Sequence, residues 1–184
     1  MSGFLKENTP LLCVLGLGSN RPYKGFSCTD LVHAAVEEIQ KTLVCTRLSP
    51  LYRTEPLYVP DQAPFINAAV SGFFSMGKAN SKPESVQAAA WELLALTQAI
   101  EAQFGRDRKK ERRWGERTLD IDILLFGDLF IKEKDLSIPH PRLKERAFAL
   151  RPLLDLLPDA AEPGTGEKYS SILKGLSGQE LYPV

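Results

Sequence analysis

The sequence has no long hydrophobic run, only two histidines, two methionines and three cysteines, and no excess charge of either sign. Each shortage closes off a class of protein. No apolar stretch approaches the roughly 20 residues that cross a bilayer, and Met1–Pro10 lacks the basic start and apolar core of a secretory leader, so the expected location is the cytosol. Cys13, Cys28 and Cys45 are odd in number and widely spaced, without the pairing of a zinc site or a redox C-x-x-C. They read as reduced, packed thiols. Lys plus Arg and Asp plus Glu both total 23, which argues against a general nucleic-acid or membrane-surface binder, since these carry a basic excess. The phosphate-loop patterns G-x-G-x-x-G and G-x-x-x-x-G-K-[ST] are absent around Gly16 and Gly18. Those glycines are expected to permit close backbone approach instead.

What remains is a chain of 184 residues with 43% apolar content, enough for one domain with a substantial core. The whole of 1–184 reads as one domain, with its core over about 11–158 and a Gly- and Pro-rich extension over 159–184 that carries little pattern. Leu11–Leu17 reads as a buried first strand closed by Gly18-Ser19-Asn20. Ser27-Cys28-Thr29-Asp30 has N-cap spacing, and Val32, Val36, Ile39 and Leu43 predict a helix to about Leu43. His33 belongs to that helix as a surface or packing residue. Val44–Thr54 predicts a second strand with an interruption at Ser49-Pro50, and three prolines in Glu55–Pro64 impose a loop of restricted shape.

A third strand is predicted over Phe65–Phe74, with Phe65 and Asn67 on one face. An aromatic ring beside an amide suits a flat heterocycle, although the pair alone is a common combination. Ser81-Lys82-Pro83-Glu84 predicts a capped helix with Val86, Ala90, Leu93, Thr97, Ile100 and Phe104 inward, stopped by Gly105. Gln98 and Glu101 lie on another face, near the start of a basic loop. Gly127-Asp128 reads as a turn and Leu129–Ile131 as a short strand. His140 stands between two prolines ahead of a helical segment running to about Leu157, on which Arg142 and Arg146 are four apart; a helix start with His and Arg suits an anion, and a rigid turn into a surface helix is the plainer alternative. The order strand, helix, strand, strand, helix, strand predicts an α+β fold, a ferredoxin-like antiparallel sheet (βαββαβ) with helices on one face.

The densest chemistry lies in Arg106–Phe126. Asp120 and Asp122 stand two apart in a strand, so they share a face roughly 6.5 to 7 Å apart. Ile121, Ile123 and Leu125 are expected on the opposite face, and Leu124 and Phe126 to continue the face of the acids. Seven Lys or Arg against three acids fall between Arg106 and Arg117. Acids on a rigid strand with arginines running into them suit magnesium and a polyphosphate. A solvated edge strand beside a basic surface loop is the plainer alternative. A ferredoxin-like RNA-binding module is another, with Lys24-Gly25-Phe26 resembling the start of its signature; Ser27-Cys28 break that signature, and paired acids would repel a phosphate backbone.

Five collinear stretches carry a closer resemblance: Gly18-Ser19-Asn20, Tyr52-Arg53-Thr54, Phe65–Val70, Arg117–Ile123 and Pro139-His140-Pro141-Arg142. Together they resemble the 6-hydroxymethyl-7,8-dihydropterin pyrophosphokinases of folate synthesis. The resemblance implies transfer of the β,γ-diphosphate of ATP to the pterin hydroxymethyl group, with AMP released. It implies that Asp120 and Asp122 hold two Mg2+ ions and act with Arg108 and Arg117 in catalysis. The pterin would meet Thr54, Glu55, Leu57, Phe65, Asn67 and Phe148. ATP would meet Gln98, Glu101, Arg108, Arg113, Trp114, Arg117, Ile123, His140 and Arg146. The implied partners are these two small molecules alone, with no nucleic acid or membrane, and the implied state is a monomer. Three departures stand out. Glu116 replaces the proline expected before Arg117, Glu55 replaces a frequent proline, and one extra residue in the basic loop leaves open whether Arg112 or Arg113 meets phosphate.

Overall fold

The computed structural model describes residues 10–75, 83–108, 110 and 114–184. Strand β1 (Leu11–Ser19) is an interior strand of a six-stranded sheet, because two later stretches of the chain return to pair on both of its edges. On one edge it pairs antiparallel with β4 (Phe65–Phe74), from Leu11 opposite Phe74 to Ser19 opposite Ile66. On the other it pairs antiparallel with β5 (Asp120–Phe126). The far edge of β4 is shared by β2 (Leu43–Leu48) and β3 (Tyr52–Thr54).

The break between β2 and β3 falls at Ser49-Pro50, where proline has no ladder donor to offer. Ser49 repairs the edge locally: its N–H donates to Ala69 O and its Oγ accepts from Ala69 N, both at 2.9 Å. With α1 (Cys28–Gln40) between β1 and β2, and α2 (Pro83–Gln103) between β4 and β5, the ferredoxin-like βαββαβ order is present.

Helix α1 starts with a capping box. Ser27 Oγ accepts from Asp30 N at 3.2 Å and Asp30 Oδ2 accepts from Ser27 N at 2.9 Å. The helix ends three residues before Leu43, which opens β2 yet stays buried; its spacing from Ile39 imitates one more helical turn. The expected inward positions Val86, Ala90, Leu93, Thr97 and Ile100 of α2 are buried, as is Phe104 just beyond its end. Ser81 and Lys82 of its expected capping box lie outside the described residues. Beyond the helix, Gly105 has φ +84.

Two expectations of the sheet change. Helices cover both faces, not one. Helices α1 and α2 bury Leu15, Leu17, Ile121 and Ile123, while α3 (Ala147–Leu156) and α4 (Tyr169–Gly175) bury Val14, Ala69, Leu124 and Leu125 on the reverse side. The amphipathic α3 needs an apolar surface of its own, and the reverse face of β1 and β4 supplies it. The second change is a bulge at Leu124: Val14 faces Leu125 but Leu15 faces Ile123. One extra residue reverses the alternation beyond it, so Leu125 follows the face of the acids and Phe126 joins the core with Ile121 and Ile123.

Other local differences are smaller. Strand β6 is Ile131–Lys132, pairing with β7 (Ser137–Ile138), so Leu129 and Phe130 precede it. Arg142 and Arg146 do not share a helix. A single 3-10 turn spans Leu143–Glu145, and Arg146 has the extended φ −122 and ψ 98 of an N-cap before α3. Prolines 139 and 141 bias the preceding residues away from helix, which delays its start. Cys13 is buried and donates to Gly72 O at 3.4 Å, and burial pushes its thiol up to about 12. Cys45 is exposed rather than packed, because the irregular pairing of β2 between Val44 and Arg47 turns it to φ +53. Residues 159–184 add α4 and β8 (Leu181–Pro183), which extends the sheet beyond β3; Val184 N donates to Leu51 O at 3.0 Å.

Candidate active site

The face of the sheet that α3 leaves uncovered at one end has a row of small residues for a floor. Gly18 lies opposite Asp120 and Gly16 opposite Asp122 on β1, and on the next strand Gly18 lies opposite Asn67. With no side chains on β1 there, the carboxylates of β5 and the amide of β4 border one open space. The close-approach role expected of these glycines holds. A Cβ on Gly18 would stand 3.2 Å from Asn67 Oδ1, and one on Gly16 would stand 3.2 Å from the Leu124 methyls. The resulting cavity measures about 380 Å³, in the range of small-molecule sites.

One end of the cavity is apolar with a few aimed polar groups. Phe65 and Phe148 line it, with Thr54 from the end of β3 and Glu55 and Leu57 from the proline-rich loop. Asn67 is buried and its Nδ2 donates to Thr54 Oγ1 at 2.7 Å. That bond fixes the amide, so its carbonyl oxygen is oriented rather than free to flip. Glu55 carries a surface ion pair with Arg53 at 3.3 Å, both side chains being largely exposed.

The other end is ionic. Glu101 of α2 is 1% exposed, and it holds three groups at once. Its Oε1 accepts from Arg106 and from Ile121 N, the latter at 2.8 Å, and its Oε2 accepts from Arg108 Nε and Nη2 at 3.0 and 2.6 Å. Burial raises the Glu101 carboxyl above its ordinary value, and Arg106 opposes that rise. Arg106 reaches on to Asp120, and Arg117 Nε lies 3.5 Å from Asp120 Oδ2. Arg117 is itself seated by Asn20, whose Oδ1 accepts from Arg117 N at 2.7 Å and whose Nδ2 donates to Ala63 O at 3.1 Å.

Asp122 meets Arg146 Nη1 at 3.4 Å and His140 Nε2 at 3.6 Å. Desolvation and then the charge of Asp120 push its carboxyl up to about 6. Its side chain keeps 36% of its surface, yet protein surrounds it through the cavity walls, and this enclosure outweighs the nearby cations. His140 moves the other way, down to about 4, through desolvation and then Arg146. Its Nδ1 accepts from Arg142 N at 3.2 Å, so a neutral ring carries its proton on Nε2, toward Asp122.

The structure therefore gathers Thr54, Glu55, Leu57, Phe65, Asn67, Arg108, Trp114, Arg117, Asp120, Asp122, His140, Arg146 and Phe148 around one cavity. Glu101 stands behind it as a support. Gln98 is exposed on α2 and Ile123 packs into the core on the opposite face of the sheet; neither lines this cavity. Arg113 lies outside the described residues, as does Arg112. Other lining residues were not singled out for the site from sequence. Arg106 was missed although it follows Glu101 by five positions across a helix stop. Tyr58 was missed because its role depends on a meeting of separate loops, shown by the stacked rings of Tyr58 and Trp114 at 5.2 Å. Arg142 was read with His140 and Arg146 as part of an anion-binding helix start, and lines the cavity from just ahead of the 3-10 turn instead.

A ferredoxin-like sheet bearing two carboxylates, converging arginines and an apolar end lined by Phe65 and Phe148 defines an α+β domain whose cavity suits a phosphate-bearing ligand beside a flat ring. Comparison with known proteins narrows the class. The family described as 7,8-dihydro-6-hydroxymethylpterin-pyrophosphokinase (HPPK) matches residues 14–158, and the chain belongs to that family. The 2-amino-4-hydroxy-6-hydroxymethyldihydropteridine pyrophosphokinase of Bacillus subtilis (strain 168) is 41% identical over 133 residues, covering 72% of this chain and 67% of that protein. The protein of the same name from Synechocystis is 32% identical over 173 residues, covering 93% and 79%. The mitochondrial folate synthesis bifunctional protein of Arabidopsis thaliana is 38% identical over 167 residues; the match takes in 90% of this chain and 27% of that protein, so the chain spans about a quarter of its length. A crystal structure of Plasmodium falciparum HPPK-DHPS wild type superposes with a TM-score of 0.65 at 16% identity, over 93% of this chain and 45% of that one, a likeness of fold.

Proposed function

We propose that this chain transfers the β,γ-diphosphate of ATP to the hydroxymethyl group of 6-hydroxymethyl-7,8-dihydropterin, releasing AMP. The observation that carries this reading is the shared cavity: Asp120 and Asp122 at one end, the Phe65, Asn67 and Phe148 subsite at the other. The pterin ring lies against Phe65 and Phe148, with the fixed Asn67 amide and Thr54 reading its edge, and its hydroxymethyl group pointing toward the acids. The hydroxyl oxygen attacks the β-phosphorus in line. Its bond to phosphorus forms as the bond from that phosphorus to the α,β-bridging oxygen breaks, the hydroxyl proton is lost to solvent, and AMP leaves with the bridging oxygen.

The chain's own part is positioning and charge compensation. Arg108, Arg117 and Arg146, with Arg106, meet phosphate oxygens, while neutral His140 donates through Nε2. Trp114, which lines the cavity, and Arg113 are read as further ATP contacts, Gln98 and Ile123 stand outside the cavity, and Glu101 acts by holding Arg106 and Arg108. The donor set fits Mg2+. Two hard carboxylate oxygens on one strand, with phosphate and water completing the shell, are what Mg2+ takes, and Asp120 and Asp122 both border the open space of the cavity. No cluster of three or more His, Cys, Asp or Glu able to hold a metal by itself occurs among the described residues, so Asp120 and Asp122 would hold two ions jointly with ATP. When bound, these ions supply charge neutralisation between the phosphates and the attacking oxygen. We read the chain as a monomer, since one chain supplies the whole cavity, and as cytosolic, since its thiols are unpaired.

Incubation with the pterin and Mg-ATP tests the reading. AMP is the expected product, and ADP or free phosphate as the main product would overturn it.

A further inference from the structure

Four of the five arginines that line the cavity are paired with a carboxylate. Arg106 pairs with Glu101 and Asp120, Arg108 with Glu101, Arg117 with Asp120 and Arg146 with Asp122. The fifth, Arg142, has no carboxylate partner among the described residues, although it lines the same space. Two rings hold it instead. Its Cζ lies 5.6 Å from the Tyr58 centroid and 5.5 Å from the Trp114 centroid, and those rings are stacked on each other with an interplanar angle of 26°.

The two rings come from separate loops that are tied together. Gln62, four residues after Tyr58, donates from Nε2 to Trp114 O at 2.8 Å and to Val59 O at 3.2 Å, and Asn20 Nδ2 donates to Gln62 Oε1 at 3.4 Å. A ring attracts a guanidinium through its quadrupole without neutralising its charge. The in-plane N–H groups keep the fork that suits two phosphate oxygens. A carboxylate partner would consume both.

We infer that Arg142 is a further phosphate contact of this site, taking non-bridging oxygens of a polyphosphate ligand, and that the Tyr58 and Trp114 rings aim it. The inference rests on the diphosphate-transfer reading of the cavity. It makes Tyr58 a positioning residue that links the loop beside the ring subsite to phosphate binding at the far side.

Calorimetric titration of inorganic tripolyphosphate with Mg2+ into the full chain reads this contact without turnover. Arg142→Ala is expected to weaken binding about tenfold or more, the usual scale of a charged hydrogen-bond contact, while pterin affinity stays within about twofold. Arg142→Lys should recover only part, because an ammonium lacks the fork. The Tyr58 ring also lies 5.8 Å from Arg146 Cζ, so Tyr58→Leu should weaken tripolyphosphate binding in the native background and cost clearly less in the Arg142→Ala background, and Tyr58→Phe should restore the native value. A merely structural role for Tyr58 would give additive losses. Unchanged affinity in Arg142→Ala, additive losses in the double variant, or no tripolyphosphate binding by the native chain would each overturn the inference. Failure of the native chain to release AMP would instead overturn the transfer reading, leaving the binding data to decide Arg142.

Discussion

The N–H of Ile121 donates to Glu101 Oε1 at 2.8 Å, which ties the residue between the two aspartates to a buried carboxylate on α2. The same carboxylate holds Arg106 and Arg108. Helix, strand and basic loop thus share one electrostatic anchor, and the spacing of acids and arginines across the cavity depends on it. The ionised form is held despite the cost of burying it, because two guanidinium groups and one amide surround it.

Glu101→Gln tests the anchor. One amide oxygen can still accept from Ile121, but Arg106, whose side chain is 6% exposed, loses an ionic partner in a buried setting. The expected loss is about 3 kcal/mol of unfolding free energy, read from urea denaturation, together with a raised KM for ATP. A loss below about 1 kcal/mol would show that Arg106 is satisfied by Asp120 alone.

Asp122 and His140 give opposing pH signatures in the metal-free chain. The folded carboxyl of Asp122 sits at about 6 against an ordinary 3.8, so the folded state holds its proton longer and stability falls as pH rises from about 4 through 6. His140 sits at about 4 against 6.5. The unfolded chain therefore binds the proton first, and stability is lost as pH falls from 6.5 toward 4. The His140 shift corresponds to about 3 kcal/mol; that of Asp122, 36% exposed, is discounted to about 1 kcal/mol.

Each substitution should uncover the other group. His140→Gln is expected to become less stable from pH 4 to 6, while Asp122→Asn steepens the loss below 6.5, gains about 1 kcal/mol at pH 7 and abolishes turnover. Thermal denaturation across pH 4 to 7.5 checks all three chains. A His140→Gln profile rising with pH in that window would contradict the assignment.

How much of this was legible in the sequence differs by the range of the forces involved. Asp120 and Asp122 could be read because a period of two is local, and α2 because its inward positions recur at helical spacing from Val86 to Ile100. The bulge at Leu124 could not, since its register is set by β1 and leaves no mark in a run of Ile, Leu and Phe. Arg106 and Arg108 were indistinguishable as two cations in a basic loop, and only Glu101, on a different element, separates a buried guanidinium from a half-exposed one. The final strand, β8, has three residues and borrows its pairing from β3; so short a segment has no period of its own.

Asn67 should control the pterin end without touching the other. Its Nδ2 bond to Thr54 Oγ1 is buried, so Asn67→Leu both removes the amide and strands the hydroxyl. Losing a polar contact that reads a heterocycle edge costs about 1–3 kcal/mol, so the pterin KM should rise roughly tenfold to a hundredfold, with the KM for ATP within about twofold. Steady-state AMP release at varied pterin and ATP separates the two. A matched rise in both constants would mean that Asn67 shapes the whole cavity.

Gly18→Ala is the subtlest of these changes and tests the floor itself. Gly18 stands between Asp120 on one neighbouring strand and Asn67 on the other, and an added Cβ would come within 3.2 Å of Asn67 Oδ1. The methyl is small enough to keep the strand paired, so unfolding free energy should change by about 1 kcal/mol or less. The amide, however, must give by a few tenths of an ångström while its other end is held by Thr54. Pterin binding is therefore expected to weaken severalfold with little change in thermal stability. Pairing Gly18→Ala with Asn67→Ser, which removes the crowded oxygen, should cancel the steric part of the loss. If Gly18→Ala weakens pterin binding equally in both backgrounds, the methyl is blocking the ligand directly rather than acting through Asn67.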